Sequence, residues 1–442
     1  MPQSLSSKSI NSVRSFHAPS PSANPMNLVD RRIHFATLFA WLFFVEILLG
    51  NRCIASEPDP VSMLSEFLKA SGNKLADVSS ETFATMPLTK TQTSGALKLL
   101  AAKHAAEIQE ARKEEHDAKR LKIDQWEMPY HVETFGQRPE KGHSLYISMH
   151  GGGGTPKRVN DGQWENQKRL YRLDEGIYVA PRAPTDTWNL WHQGHIDLLF
   201  TRLIANMIAL ESIDPDRVYI TGYSAGGDGV FQLAPRMADR FAAAAMMAGH
   251  PNETKPLGLR NLPFTIHMGE RDSAYNRNGL AVQWKDQLAD LQKQDPGGYQ
   301  HWVEIHRGKG HWVDRQDAAG VKWMGQFSRN LVPQKIVWLQ DDVLHDRFYW
   351  LSVSPQKATE RQLIKASYQD GKFTIEHSDP KQLTVLLRDD MTDLDQPITV
   401  DYQGKRIYEG KVKRTIADML STLLDRGDPA AIFTAKVTVQ ID

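Results

Sequence analysis

At 442 residues the chain is long enough for two compact cores, and its 40% apolar and 24% charged residues are the balance of an ordinary globular protein. Lys plus Arg and Asp plus Glu number 53 each, so the formal net charge is zero and a general polyanion binder is excluded. With no basic stripe and no RNA-binding signature, nucleic acid is not an expected partner.

The N-terminus reads as an address label. Residues 1–30 are rich in Ser, Pro and Asn and show no periodicity, then Arg31-Arg32 precede an apolar run from Phe35 to Leu49 broken only by Glu46. Cys53-Ile54-Ala55 places small residues at the spacing a signal peptidase reads. The expectation is a leader over 1–55, removed on export to the periplasm or medium, with no stable membrane insertion afterwards. A retained anchor is the competing reading, but the run falls short of the roughly 20 residues that span a bilayer and carries Glu46. Cys53 is the single cysteine, so the trimmed chain would hold no disulfide and no thiol nucleophile.

Residues 56–125 form a helical extension in this reading. Leu64, Phe67 and Leu68 share a face, and Leu97, Leu100, His104 and Ile108 recur at helical spacing among Lys and Glu. From 126 to 333 the texture is α/β. Strands are expected at Tyr130–Phe135, Leu145–His150, Gly176–Ala180, Val218–Gly222, Ala242–Ala248, Phe264–Met268 and Trp302–His306, with helices at 196–212, 225–237, 278–293 and 318–330. Such alternation implies a mostly parallel sheet covered on both faces, with functional residues at the carboxyl ends of its strands. Beyond Pro333, residues 334–442 read as a separate β-rich module, mostly antiparallel, with turns at Asp370-Gly371 and Gln403-Gly404 and one helix near 414–425. Trp338, Tyr349 and Trp350 in it are expected in its core rather than on a binding face.

Four motifs carry chemistry. Val218–Thr221 is a buried strand that runs through Gly222-Tyr223-Ser224-Ala225-Gly226 into a helix. A serine on so tight a turn holds its Oγ outward, the two flanking glycines avoid collision across the turn, and the helix N-terminus aims the Ala225 N–H at a developing oxyanion. Upstream, Leu145–Met149 leads into His150 and the glycines Gly151 to Gly154. Four glycines in a row are entropically costly and suit a place where backbone amides approach a ligand closely. A phosphate cradle is the rival, but no Gly-Lys-Ser/Thr follows, and Gly152 and Gly153 are the expected second oxyanion donors.

A serine hydroxyl needs a base, and the base needs an orienting acid. Phe264–Gly269 opens into a loop with Asp272, and Trp302–His306 is followed by Arg307-Gly308-Lys309-Gly310-His311. Asp272 and His311 are therefore the expected partners of Ser224. Glu270 and Asp314 remain alternative acids, and His306, within its strand, reads as packed or solvated rather than catalytic. The loop after Gly176–Ala180 carries Trp188 and Trp191, which would wall the cleft for an acyl group or a sugar, or else pack the loop onto the sheet. His192 and His195 read as structural. No spacing resembles a zinc site, and no metal is expected.

These motifs, in this order and on these elements, make residues 126–331 resemble an α/β-hydrolase, similar to the poly(3-hydroxybutyrate) depolymerase, feruloyl esterase and phospholipase/carboxylesterase branches. The resemblance covers about half the chain. It implies an eight-stranded sheet with one antiparallel edge, acyl-enzyme chemistry on a carboxylic ester and no cofactor. For an exported enzyme the expected substrate is an acylated polysaccharide or a polyester. A serine peptidase of the prolyl oligopeptidase kind shares the triad order, but 56–125 is too short and too helical for its propeller. A non-catalytic binding protein on the same scaffold would need a broken triad, and the three residues here are whole.

Overall fold

In the computed structural model the described residues are 59–441. The leader expected at 1–55, with Cys53, lies outside them, and no helix among the described residues is long and apolar enough to cross a membrane. α1 (Pro60–Lys69) starts where the Asp59 carboxylate accepts the Val61 and Ser62 amides, and α2 (Lys90–Asp117) starts with a capping box between Thr89 and Gln92. Ala96, Leu100, His104 and Ile108 form the buried face of α2.

The central sheet has eight strands: β1 (Arg120–Ile123), β2 (Trp126–Phe135), β3 (His143–Met149), β4 (Gly176–Pro181), β5 (Ile213–Tyr223), β6 (Ala243–Met247), β7 (Phe264–Gly269) and β8 (His301–His306). Their spatial order is β1-β2-β4-β3-β5-β6-β7-β8. β2 is antiparallel to both its neighbours, and every other pairing is parallel. β4, β6 and β7 are buried along their whole length, so β4 and β6 read as continuous apolar runs, while β7 also buries Thr265 and His267.

The connecting helices are α3 (Lys157–Gln167), α4 (Gly194–Glu211), α5 (Ala225–Arg236), α6 (Arg277–Gln294) and α7 (Ala318–Met324). On one face Leu199, Phe231 and Trp284 of α4, α5 and α6 pack on Ile147, Ile220 and Ile266. On the other, Trp164 of α3 and Val321 and Met324 of α7 close over Tyr146, Tyr178 and Tyr219. This is the α/β-hydrolase fold, and it brings the loops after β3, β5, β7 and β8 to one edge of the sheet.

Beyond Pro333 five strands, Lys335–Leu339, Leu363–Gln369, Lys372–Ser378, Ile398–Tyr402 and Lys405–Gly410, form one sheet. Arg347–Phe348, Leu351–Ser352, Gln382–Leu387 and Ala435–Gln440 form another. All pairings are antiparallel except Lys372–Ser378 with Ile398–Tyr402. Both residues of each expected turn have positive φ (Asp370 50°, Gly371 78°; Gln403 48°, Gly404 81°), as a tight hairpin requires. Trp338, Tyr349 and Trp350 are buried, and they belong to the same continuous core as Phe264 of β7 and Leu259 in the turn before it. α8 (Ile416–Arg426) packs Leu420 and Leu423 against Leu64, Val78 and Leu100 of the N-terminal helices.

Candidate active site

Ser224 stands between β5 and α5 at φ 57°, ψ −120°. A side chain that is neither Gly nor Asn pays for such a backbone angle, and surrounding contacts must hold it there. Its amide donates to Met247 O at 2.9 Å and its carbonyl accepts from Asp228 N at 3.0 Å. A Cβ at Gly222 would come 2.2 Å from Gly226 O, and one at Gly226 would come 2.1 Å from Met149 O, so neither flanking position admits a side chain.

The structure brings Ser224, His311 and Asp272 into one line. His311 Nε2 lies 2.9 Å from Ser224 Oγ, and His311 Nδ1 lies 2.7 Å from Asp272 Oδ2. With the neutral ring protonated on Nδ1, that N–H donates to the carboxylate and the serine hydroxyl donates to Nε2. Asp272 is 3% exposed, and Arg277 Nη1 stands 3.9 Å from its other oxygen. Backbone bonds join the acid and base loops, Arg271 N to Lys309 O at 2.8 Å and Glu270 N to His306 O at 3.1 Å. Tyr223 Oη donates to His311 O at 2.6 Å and fixes the base from below.

The other acids are occupied elsewhere. Glu270 Oε2 accepts Gly308 N at 2.7 Å, and Asp314 pairs with Lys309 at 2.6 Å. His306 is buried against His267, ring nitrogens 3.1 Å apart. His195 stacks on Trp126 at 3.9 Å, and burial lowers the His192 imidazole to about 4.

The glycine loop corrects one expectation. Gly152 (φ 114°) faces the cleft beside Ser224 and His311. The Gly153 amide, however, donates to Asn160 Oδ1 at 3.0 Å, so it is not free to hold an oxyanion. That leaves the amides of Gly152 and of Ala225, the first residue of α5, as candidate donors. His150 anchors the loop: its Nδ1–H donates to Gly151 O at 2.6 Å while its Nε2 accepts from Ala183 N at 3.1 Å. A ring used as both donor and acceptor is neutral, and burial lowers its pKa to about 4.

Trp191 is a second correction. It is 0% exposed, and its indole N–H donates to His150 O at 2.9 Å, so it props the glycine loop instead of lining the cleft. Trp188 is 62% exposed and does border the site. Residues that motif reasoning passed over also stand here. Asp228 follows the nucleophile by one helical turn; its carboxyl is pushed up to about 6 by burial, while the His250 amide donates to it at 2.6 Å. Trp312, next to His311 and 47% exposed, takes the place expected of Trp191. Asn160 carried no signal, being one polar residue in a helix without apolar periodicity.

Among the described residues, Glu253, Asp341 and Asp342 bring carboxylate oxygens within 4.8 Å of one another. Arg361 binds Asp341 at 2.6 Å and Arg236 stands 3.9 Å from Asp342. Two guanidinium groups thus already face these three carboxylates.

No family model matches the chain. The "Putative esterase NocK" of Nocardia uniformis subsp. tsuyamanensis is 28% identical over 170 residues, which are 35% of this chain and 47% of that protein. The chain thus matches about half the length of this curated relative. Among solved structures it is similar to a thermostable esterase at 20% identity, over 48% of this chain and 62% of that one, with a TM-score of 0.38. It is similar also to LpqC, a poly(3-hydroxybutyrate) depolymerase from Bordetella parapertussis, at 17% identity over 50% and 92% of the two chains, TM-score 0.35. A ferulic acid esterase matches at 17% identity over 47% and 96%, TM-score 0.33.

Proposed function

We propose that this protein hydrolyses carboxylic esters with Ser224 as nucleophile, His311 as base and then acid, and Asp272 as the group that orients the imidazole. The observation that carries this reading is the pair of hydrogen bonds, 2.9 Å from Ser224 Oγ to His311 Nε2 and 2.7 Å from His311 Nδ1 to Asp272 Oδ2, at a serine held at φ 57°. His311 takes the Ser224 proton as Oγ attacks the ester carbon, and the Gly152 and Ala225 amides receive the negative charge on the carbonyl oxygen. Collapse passes that proton to the leaving alcohol. Water then attacks the acyl-enzyme by the same route and frees the acid. The name of the curated relative supports an ester over an amide as substrate. The leader read at 1–55 supports export, where an acylated polysaccharide or a polyester is a suitable substrate.

A fluorophosphonate should label the protein at Ser224, and short acyl esters should be turned over. Ser224→Ala should abolish labelling and lower kcat by about six orders of magnitude. Asp272→Asn should fold normally and lose about four orders, because the imidazole tautomer is no longer fixed. Normal activity in Asp272→Asn beside an inactive Glu270→Gln would move the acid to Glu270.

A further inference from the structure

Two depressions flank Ser224. One, about 450 Å³, is bounded by Trp188, Ala225, Asp228, Tyr275 and Arg277. The other, about 590 Å³, holds Ser224 and His311 together with Trp312, Arg169 and Arg315. Proton transfer decides which half of an ester each one takes. When the tetrahedral intermediate collapses, the bond from carbon to the alcohol oxygen breaks, and the proton on His311 Nε2 moves to that oxygen. The alcohol must therefore leave within hydrogen-bond reach of Nε2. His311 borders the larger depression and not the smaller. The alcohol half lies over Trp312, and the acyl half takes the side of Trp188.

The alcohol side is electrically lopsided. No carboxylate lines it, while Arg169 and Arg315 both do, each exposed to solvent. Neither guanidinium has a carboxylate oxygen of the described residues within ion-pair distance. The nearest acids in sequence are already paired: Asp314 with Lys309 at 2.6 Å, and Glu165 with Lys168 at 2.6 Å. Guanidinium forks free of ion pairs, lining one depression with a half-exposed indole, are matched to a carboxylate or a sulfate on a flat or cyclic body. Resting on the ester-hydrolase reading, we infer that the substrate's alcohol half carries negative charge, recognised by Arg169 and Arg315. Acyl groups on an acidic polymer are of this class; acyl groups on a neutral one are not.

The test keeps the acyl group as acetyl and varies only the alcohol. 4-Acetoxybenzoate, 4-acetoxyphenyl sulfate and neutral 4-acetoxybenzamide are given to the full-length protein and to Arg169→Gln/Arg315→Gln, with each rate divided by that ester's own hydroxide-catalysed rate. The ratio of anionic to neutral kcat/KM should fall about tenfold in the double variant, mainly through KM. In the wild type it should weaken between about 50 and 500 mM salt, as exposed charges are screened. Whichever anion gains more, carboxylate or sulfate, identifies the group recognised. A ratio that is equal in both proteins while the neutral ester is turned over overturns the charged-alcohol assignment and leaves the hydrolase standing. If none of the three esters is turned over the inference falls, and fluorophosphonate labelling then tells whether the hydrolase reading falls with it.

Discussion

Asn160 lies buried beneath the glycine loop with both ends of its amide committed to it. Oδ1 accepts from Gly153 N at 3.0 Å, and Nδ2 lies 3.1 Å from Gly153 O, 3.2 Å from Thr155 O and 2.9 Å from Asp186 Oδ1. A Cβ on Gly152 would sit 2.0 Å from the same Oδ1, so loop and clamp are fitted to each other. Removing the amide in Asn160→Ala leaves the Gly153 N–H unpaired, at about 1–3 kcal/mol for a buried group, while the Gly153 carbonyl keeps the bond from Thr155 N at 2.6 Å. The Gly152 donor would then be aimed loosely at the transition state, and kcat should fall about a hundredfold with little change in KM. Loss of thermal stability with kcat unchanged would show that Asn160 holds the fold and not the donor. The same residue marks a limit on what the sequence could disclose. Gly-x-Ser-x-Gly and the glycine run announce which backbone is special, because glycine there has no substitute. Which of two adjacent glycines keeps its amide free depends on how one polar side chain of the following helix, α3, folds back under the loop, and Trp188 and Trp191, three residues apart in one loop, end one exposed and one buried.

The loops after β7 and β8 act as one element. Their backbones are bonded at Arg271 to Lys309 and Glu270 to His306, and a Cβ on Gly269 would lie 1.9 Å from Gly310 O. Gly269→Ala should therefore push the acid loop from the base loop and stretch the 2.7 Å bond between Asp272 and His311. Labelling by fluorophosphonate should slow more than tenfold, with a stability loss of about 1–3 kcal/mol from the overpacking. Labelling at the wild-type rate would mean that the loops yield without disturbing the triad. Of the strands that bear these loops, β7 is buried on both faces and β8 only partly, and both are legible from aromatic and β-branched residues (Phe264, Ile266; Trp302, Val303, Ile305) ahead of a glycine. Elements at the margins are not. β1 is four residues with a single buried position, Leu121, following the 28-residue α2, so it offers no alternation to set it apart from the helical stretch. α3 buries only the polar Asn160 and Gln167, so it has no apolar stripe to detect.

At the scale of the whole molecule, buried histidines set the acid limit. Burial lowers His150 and His192 to about 4 and His267 to about 3. An unfolded histidine gains its proton near 6.5, so below that pH the unfolded chain binds more protons than the fold. Each group then costs up to about 1.4 kcal/mol per pH unit down to its folded pKa. Asp228, raised to about 6, works in the opposite sense and offsets one of the three. The urea midpoint should be level above pH 7 and fall steeply from 6.5 to 4; a midpoint flat across that interval would contradict the burial of these rings. The C-terminal sheets bear on stability in another way. They supply no residue of the proposed triad, yet Tyr349 Oη donates to Ala238 O at 3.1 Å, and Arg329 and Asp239 pair across the boundary with Asp428 at 2.8 Å and Arg426 at 3.1 Å. Trp338, Phe348 and Trp350 extend the hydrolase core, and α8 covers the N-terminal helices. A chain of residues 56–333 should thus expose an apolar patch of several hundred Å² or more and associate, although its catalytic groups are all present. The soluble fraction and the sedimentation of this chain, beside its fluorophosphonate labelling, decide the matter. Aggregated protein, with labelling confined to what little stays soluble, is the expected outcome. A monodisperse 56–333 with an undiminished melting temperature would show that the shared core contributes nothing the hydrolase sheet needs, and residues 334–442 would then be an independent module.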